Sequence, residues 1–409
     1  MIAARVRAAP RPLSVLRLAP HFFRPGSWPV AYDPVGGMQN QVWQATRDLD
    51  AAGIRQTVVT TFIPGCARSC RLFDATTLDS VGMHLPERLA PALMSASWFT
   101  CLLPTLAARV RAHDVVHVHL DHTPWCRLLA IVAGRFDRPL VVTLNVSLLS
   151  DGATGSAREF AVARLEARVL RAADRIVALT RRQQDTVAAI VPGSRERIRV
   201  IPDAIDAAAF ATPPAAAAVA AFRARHRIPE DRRIASYVGR ISDEKGWSDL
   251  PPFVDRLSRA GVFVLVCGDG PRRDQLEGRL DPRRRGLDWT VTGFVSREDV
   301  RAALELSEVV LLPSRREAFG SILLEAMAAG VPAVAYGVGG IVEVDGGSGA
   351  IELVPPDDID RFVAAVLALL GQPDLRAARV RSGRERVRDF AATSARDRML
   401  ELYHEVAPA

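Results

Sequence analysis

The chain has 409 residues, of which 49% are hydrophobic and 24% charged, with a formal net charge of +7. That length excludes one small core and makes two domains the default, and the composition excludes a disordered or fibrous chain. The positive balance admits an anionic partner such as a nucleotide, but the arginines are spread out with no aromatic-interleaved basic stripe, which argues against nucleic acid.

Residues 1–12 read as a flexible, Arg- and Ala-rich extension, and the apolar run after it is too short and too broken by Arg17 and Pro20 for a signal peptide. A first strand is predicted over 13–18, then Gly36-Gly37 and a helix over 39–52, then a strand over 57–61. Strands over 115–119 and 140–144, a helix over 157–173 and strands over 175–178 and 198–201 complete the first half. Pro202 and the Ala-rich stretch 207–221 mark the junction. The second half repeats the pattern, with strands over 234–238, 262–267, 289–292, 309–312 and 332–335. Helices over 249–260, 271–280, 296–306 and 321–329 separate them, and helical segments over 357–370 and 375–406 end the chain. Strands alternating with helices give an α/β fold: two doubly wound, Rossmann-like domains with a cleft between them. Ligands bind such sheets at the carboxyl ends of the strands.

The loops at those ends carry the chemistry. Among 53 Lys and Arg residues Lys245 is the sole lysine, in Gly239-Arg240-Ile-Ser-Asp-Glu-Lys245-Gly246 after a predicted strand. Its ammonium is a compact charge suited to a tight anionic pocket, where a guanidinium fork is too wide. Gly268-Asp-Gly-Pro271 and Gly293-Phe294 follow the next two strands. Glu317 stands eight residues before Glu325, with Phe319, Gly320 and Ser321 between them and Ser321 as the expected N-cap of the helix. Two carboxylates at this spacing can accept hydrogen bonds from both ends of a polyhydroxyl ligand, with free helix amides between them for a phosphate. His117 and His119 share a strand face, His119 nearer the ligand end and His117 a core residue. The five cysteines have neither disulfide nor zinc spacing, Cys267 reads as a core residue, and no run approaches the ~20 apolar residues of a membrane span.

Together these segments resemble the family 4 retaining glycosyltransferases of the GT-B fold, from about residue 13 onward. The matching pieces are Gly36-Gly37, Val116-His-Val-His119, Val200-Ile-Pro202, Val238-Gly-Arg240 with Lys245-Gly246, Gly268-Asp-Gly-Pro271, Gly293-Phe294 and Glu317-x7-Glu325. The resemblance implies an acceptor domain over 13–204, a nucleotide-sugar domain over 205–385 and a C-terminal helix over 386–409 that packs back on the first domain. It implies a UDP-sugar co-substrate, no further cofactor, no metal, and a cytoplasmic enzyme not bound to membrane. By position, Arg240 and Lys245 would hold and stabilise the leaving diphosphate, Glu317 the sugar hydroxyls and Glu325 the ribose. Gly37, Gly239, Gly268 and the amides around Phe319, Gly320 and Ser321 would line the donor, the backbone beside Phe294 the base, and His119 the anomeric centre.

The segment from Leu16 to Gln39 is similar to the glycosyltransferases of aminoglycoside antibiotic pathways, which act on 2-deoxystreptamine or a pseudodisaccharide built on it. A cationic acceptor of that kind would want carboxylates, for which Asp33 and Asp121 are candidates, and flat surfaces, for which Trp28 and Trp125 are. Two departures from the family pattern stand out: Asn145 where His is frequent, and Asp203-Ala204 where Asn-Gly follows the linker proline. The Asp203 change reads as a hinge variation. The alternative within the family is polysaccharide or glycolipid assembly, for which the 102–111 stretch offers a weak membrane face. A nucleotide-binding module without catalysis is disfavoured by the intact candidate residues, and a nicotinamide dehydrogenase by the missing Gly-x-Gly-x-x-Gly.

Overall fold

The computed structural model describes residues 12–22, 36–86, 89–121, 123–151, 157–280 and 288–408. Short β-branched runs become strands buried on both faces, as a parallel sheet covered by helices requires. The first sheet contains β1 (Ser14–Leu18), β2 (Arg55–Thr61), β3 (Ser69–Arg71), β4 (Thr76–Val81), β5 (Val115–His119), β6 (Leu140–Thr143), β7 (Arg175–Ala178) and β8 (Ile198–Val200). Its order is β3-β4-β2-β1-β5-β6-β7-β8, parallel except for β3, an exposed edge strand antiparallel to β4. The second sheet contains β9 (Arg233–Val238), β10 (Val262–Cys267), β11 (Trp289–Gly293), β12 (Val309–Leu312), β13 (Ala333–Tyr336) and β14 (Ile351–Val354), all parallel, in the order β11-β10-β9-β12-β13-β14. The α/β class and the two doubly wound domains are as expected.

Strand order reverses between β1 and β5 in one sheet and between β9 and β12 in the other. At such a switch point the outgoing chains leave toward opposite faces, and a crevice opens at the carboxyl ends. Gly37 and His119 lie at the first crevice, and Lys245 and Glu317 at the second.

The helix Ala90–Arg111 was not expected from the sequence. Trp98, Leu102, Leu106 and Val110 recur every four residues along it and are buried in the core that contains Leu16, Leu18, Val116 and Val118. Burying each such side chain contributes about 1.5–3 kcal/mol. By length and composition its Leu93–Arg111 portion also passes as a membrane span, which the sequence reading had not found.

The chain crosses between the domains twice. Ile205 donates to the Phe390 carbonyl at 3.0 Å, and Ala392 donates back to the Ile205 carbonyl at 3.2 Å. The second crossing leads into the helix Ala392–Val406, whose Met399, Leu402 and Tyr403 bury against Val15, Val115, Val141 and Val177 of the first sheet.

Candidate functional site

In the second domain three loops nest against one another. Gly246 has φ +70, and a Cβ there would lie 1.9 Å from the Pro313 carbonyl oxygen. Only glycine lets the turn after Lys245 press onto the end of β12. That approach brings Lys245 Nζ to 2.5 Å from Glu317 Oε2, which also accepts from Ser314 Oγ at 3.1 Å. The two chemistries read separately from the sequence are therefore one ion pair. Gly246→Ala is expected to lower kcat by about tenfold and stability by about 1–3 kcal/mol, because the loop must lift off Pro313 and carry Lys245 with it. Steady-state kinetics and a denaturant titration of the variant check both.

Beyond Glu317, Gly320 adopts φ +92 and is the N-cap of the helix Ser321–Ala329. Ser321 is thus the first helical residue rather than the cap, and its hydroxyl donates to Asp203 Oδ2 at 3.1 Å. The first amides of this helix have no partner within it. Phe319 is buried edge-on to Phe390, so its backbone rather than its ring is available to a ligand. Glu325 is half-buried and makes no hydrogen bond within the described residues; burial lifts its carboxyl to about 7, while Arg297 opposes the shift. Arg240 is exposed at the end of β9 and, among the described residues, forms no ion pair. Gly239 and Gly268 pack directly, with a Cβ at 268 falling 1.8 Å from the Gly239 carbonyl oxygen, and Phe294 follows Gly293 at the end of β11.

In the first domain His119 ends β5 but is 4% exposed, and both its ring nitrogens are engaged. Arg17 Nη1 lies 2.7 Å from Nε2, and Asn145 Oδ1 lies 3.0 Å from Nδ1. A guanidinium can only donate, so Nε2 is the acceptor and Nδ1 carries the proton toward Asn145. Burial first, and the Arg17 charge second, hold His119 well below the ordinary imidazole range, so the ring is neutral. A proton-transfer role for it has no free nitrogen to use; the geometry makes it a positioned wall of the crevice. Arg17 itself is fully buried and also binds Gln56 Oε1 at 3.1 Å and Tyr403 Oη at 3.1 Å. Tyr403 Oη in turn meets His117 Nδ1 at 2.6 Å, and His117 Nε2 meets Thr143 Oγ1 at 2.7 Å. The terminal helix thereby reaches beneath the crevice.

The loops after β5 and β6 are held from behind by Arg127 and Glu166, both fully buried and paired at 2.6 Å. Arg127 also donates to the carbonyls of Asp121, Thr123 and Val146, and Glu166 accepts from Ser147 and the Leu148 amide.

The crevices face each other. A Cβ on Gly37, the first residue of the helix Gly37–Ala51, would lie 3.6 Å from Ser321 Oγ. Two helix N-termini, one from each domain, therefore meet at one point, each carrying about half a positive charge, where an anion is favoured. One open cavity borders His119, Asn145, Arg17 and Asp203, and another borders Glu317, Arg182, Arg316 and Gly339.

The acceptor candidates fare differently. Trp28 and Asp33 lie outside the described residues. Asp121 is fully buried: it accepts from the Thr123 amide and hydroxyl, 2.9 Å each, and its Oδ2 is 3.3 Å from His21 Nε2. It caps the turn into the helix Pro124–Ala133 and offers no open carboxylate, because a charge beside a buried strand end must find partners within the fold. Trp125 packs against Phe99 with ring centroids 5.5 Å apart. Sequence reasoning passed over Arg17, although an arginine inside an apolar strand run is itself a signal, and it read Asp203 as a hinge variation only.

The family model described as Glycosyltransferase Family 4 matches residues 35–209, and that described as Glycosyl transferases group 1 matches residues 219–386. The chain is 30% identical to the 2-deoxystreptamine N-acetyl-D-glucosaminyltransferase of Streptomyces fradiae, over 86% of this chain and 87% of that one. It is 31% identical to the 2-deoxystreptamine glucosyltransferase of Streptomyces kanamyceticus, over 86% and 94% respectively. Among solved structures, the sucrose-phosphate synthase of Thermosynechococcus elongatus superposes with TM-score 0.76 at 21% identity, covering 96% of this chain and 98% of that one. The Anabaena protein HepE, solved with UDP-glucose, superposes with TM-score 0.71 at 17% identity, covering 96% and 100%. Both share the two-domain fold.

Proposed function

Since this chain belongs to the family 4 glycosyltransferases, we propose that it moves a sugar, N-acetylglucosamine or a related hexose or pentose, from a UDP donor to 2-deoxystreptamine or a pseudodisaccharide such as paromamine. The product class would be an aminoglycoside antibiotic precursor made in the cytoplasm. The reading is carried by the 30% and 31% identities to two 2-deoxystreptamine transferases along nearly the whole chain. The convergence of Lys245, Glu317, Ser321 and Gly37 at the two switch points agrees with it.

In this reading the diphosphate lies at the paired helix N-termini, with Arg240 and Lys245 on it. Glu317 takes sugar hydroxyls, Glu325 takes the ribose, and the backbone beside Phe294 takes the base. Transfer retains configuration and needs no metal. The acceptor oxygen bonds to the anomeric carbon as the bond to the β-phosphate oxygen breaks, and that oxygen accepts the acceptor's proton. Such a step asks the protein for positioning and for positive charge at the leaving group. The engaged imidazole of His119 suits a wall rather than a base.

The test is a screen of UDP-sugars against 2-deoxystreptamine and paromamine, read by mass spectrometry. A product heavier than the acceptor by one sugar residue is expected with at least one donor. Absence of product with every pair would overturn the acceptor class while leaving family membership intact.

A further inference from the structure

Asp203 follows Pro202 at the first crossing between the domains. Its Oδ2 accepts from Ser321 Oγ at 3.1 Å, and Ser321 in turn faces Gly37. The carboxyl therefore sits at the meeting point of the two helix N-termini. Among the described residues no cation is paired with it, although the two helix N-termini favour its ionised form before a ligand binds. Arg47 on the helix Gly37–Ala51 is paired with Asp48 at 3.3 Å, and Lys245 with Glu317 at 2.5 Å. Arg396 on the terminal helix is paired with Asp397 at 2.7 Å, and Arg17 points to His119, Gln56 and Tyr403. Among the described residues the carboxylate Glu317 acts on it, and Asp48, the neutral His119 and Gln41, which accepts from the Ala204 amide at 3.4 Å, border the same cavity.

We propose that Asp203 serves donor binding as a neutral carboxylic acid, tying the linker to Ser321, and that a proton is taken up there when a nucleoside diphosphate binds. The proposal rests on the donor reading above. A protonated carboxyl keeps the Oδ2 acceptor for Ser321 and gains an O–H donor. An ionised one would compete with a diphosphate for the same helix N-termini.

Burial and like charge set the direction, against the helix N-termini. Burial, with Glu317 adding to it, lifts Asp203 from 3.8 to about 7, against the opposing Ser321 bond. A bound dianion raises it further, since like charge disfavours ionisation. Where the free site is ionised and the bound site is not, binding takes up a proton, and affinity falls as pH rises through about 7.

Calorimetric titration of the full chain with UDP, in buffers of low and high ionisation enthalpy, counts that proton. UDP's own phosphate titrates near pH 6, so the comparison is wild type against Asp203→Asn with the same ligand. At about pH 8 the wild type is expected to take up up to about one proton more than the variant. Its affinity is expected to fall, relative to the variant, by up to about tenfold per pH unit. Equal proton counts with parallel pH profiles would overturn the proposal, even if Asp203→Asn binds UDP more weakly. No UDP binding by the wild type at any pH would overturn the donor reading and this inference with it.

Discussion

Lys245→Ala is expected to lower kcat by about 10²–10³-fold, the effect of deleting one preorganised group at a developing negative charge, while leaving the denaturant midpoint near wild type. The loss to the fold stays small because the Lys245 side chain is 27% exposed, so water can take its place beside the largely buried Glu317. Catalysis does not tolerate it. Lys245 positions Glu317 through a 2.5 Å bond and is placed to turn to a diphosphate when one arrives. In the proposed role its removal would strip the leaving group of charge, and it leaves Glu317 with Ser314 as its remaining side-chain partner among the described residues. Lys245→Arg keeps the charge but brings a planar fork into a turn fixed by Gly246 against Pro313. It is expected to remain clearly impaired in kcat, and near-normal turnover would show that shape is immaterial there. A rise in KM alone, with kcat unchanged, would remove Lys245 from the leaving-group role.

Arg127→Met is expected to destabilise the first domain by about 3–5 kcal/mol, as breaking a fully buried ion pair strands the partner's charge. Arg127 and Glu166 are both 0% exposed. Three carbonyls also lose their donor, those of Asp121, Thr123 and Val146, at the loops flanking His119 and Asn145. Urea unfolding followed by tryptophan fluorescence measures the loss. Glu166→Gln should be nearly as severe, because it leaves the guanidinium uncompensated. The double replacement Arg127→Met with Glu166→Leu should recover part of the loss, since no buried charge then remains, but not all, since the three carbonyls stay unpaired. Additive single effects in that cycle would show that the two charges do not stabilise each other.

Much of the site was legible before any fold was seen. Strands over 115–119, 262–267 and 309–312 and the helix over 321–329 coincide with β5, β10, β12 and Ser321–Ala329, because each is an apolar run cut off by glycine or polar residues. The helices Ala90–Arg111, Pro124–Ala133 and Arg181–Ile190, the edge pair β3 and β4, and β14 were not found. Ala90–Arg111 mixes exposed Leu93 and Leu103 with its buried row and holds Pro104 in its interior, so its period is blurred. The strand β3 is three exposed residues, whose pairing with β4 only the sheet edge supplies.

By itself the sequence determined the two-domain α/β class, the sole lysine and the Glu317–Glu325 spacing, because these follow from local periodicity and residue chemistry. Contact across the chain decided the rest. It joined Lys245 to Glu317 over 72 positions and Asp203 to Ser321 over 118. It placed Arg17 under His119, fixing a neutral ring with its proton toward Asn145, and it turned Asp121 inward as a cap. Burial and hydrogen-bond partners set a side chain's charge and availability. Those partners come from strands and helices far apart in sequence, so the role of a charged residue became visible only when the sheets had brought its neighbours to it.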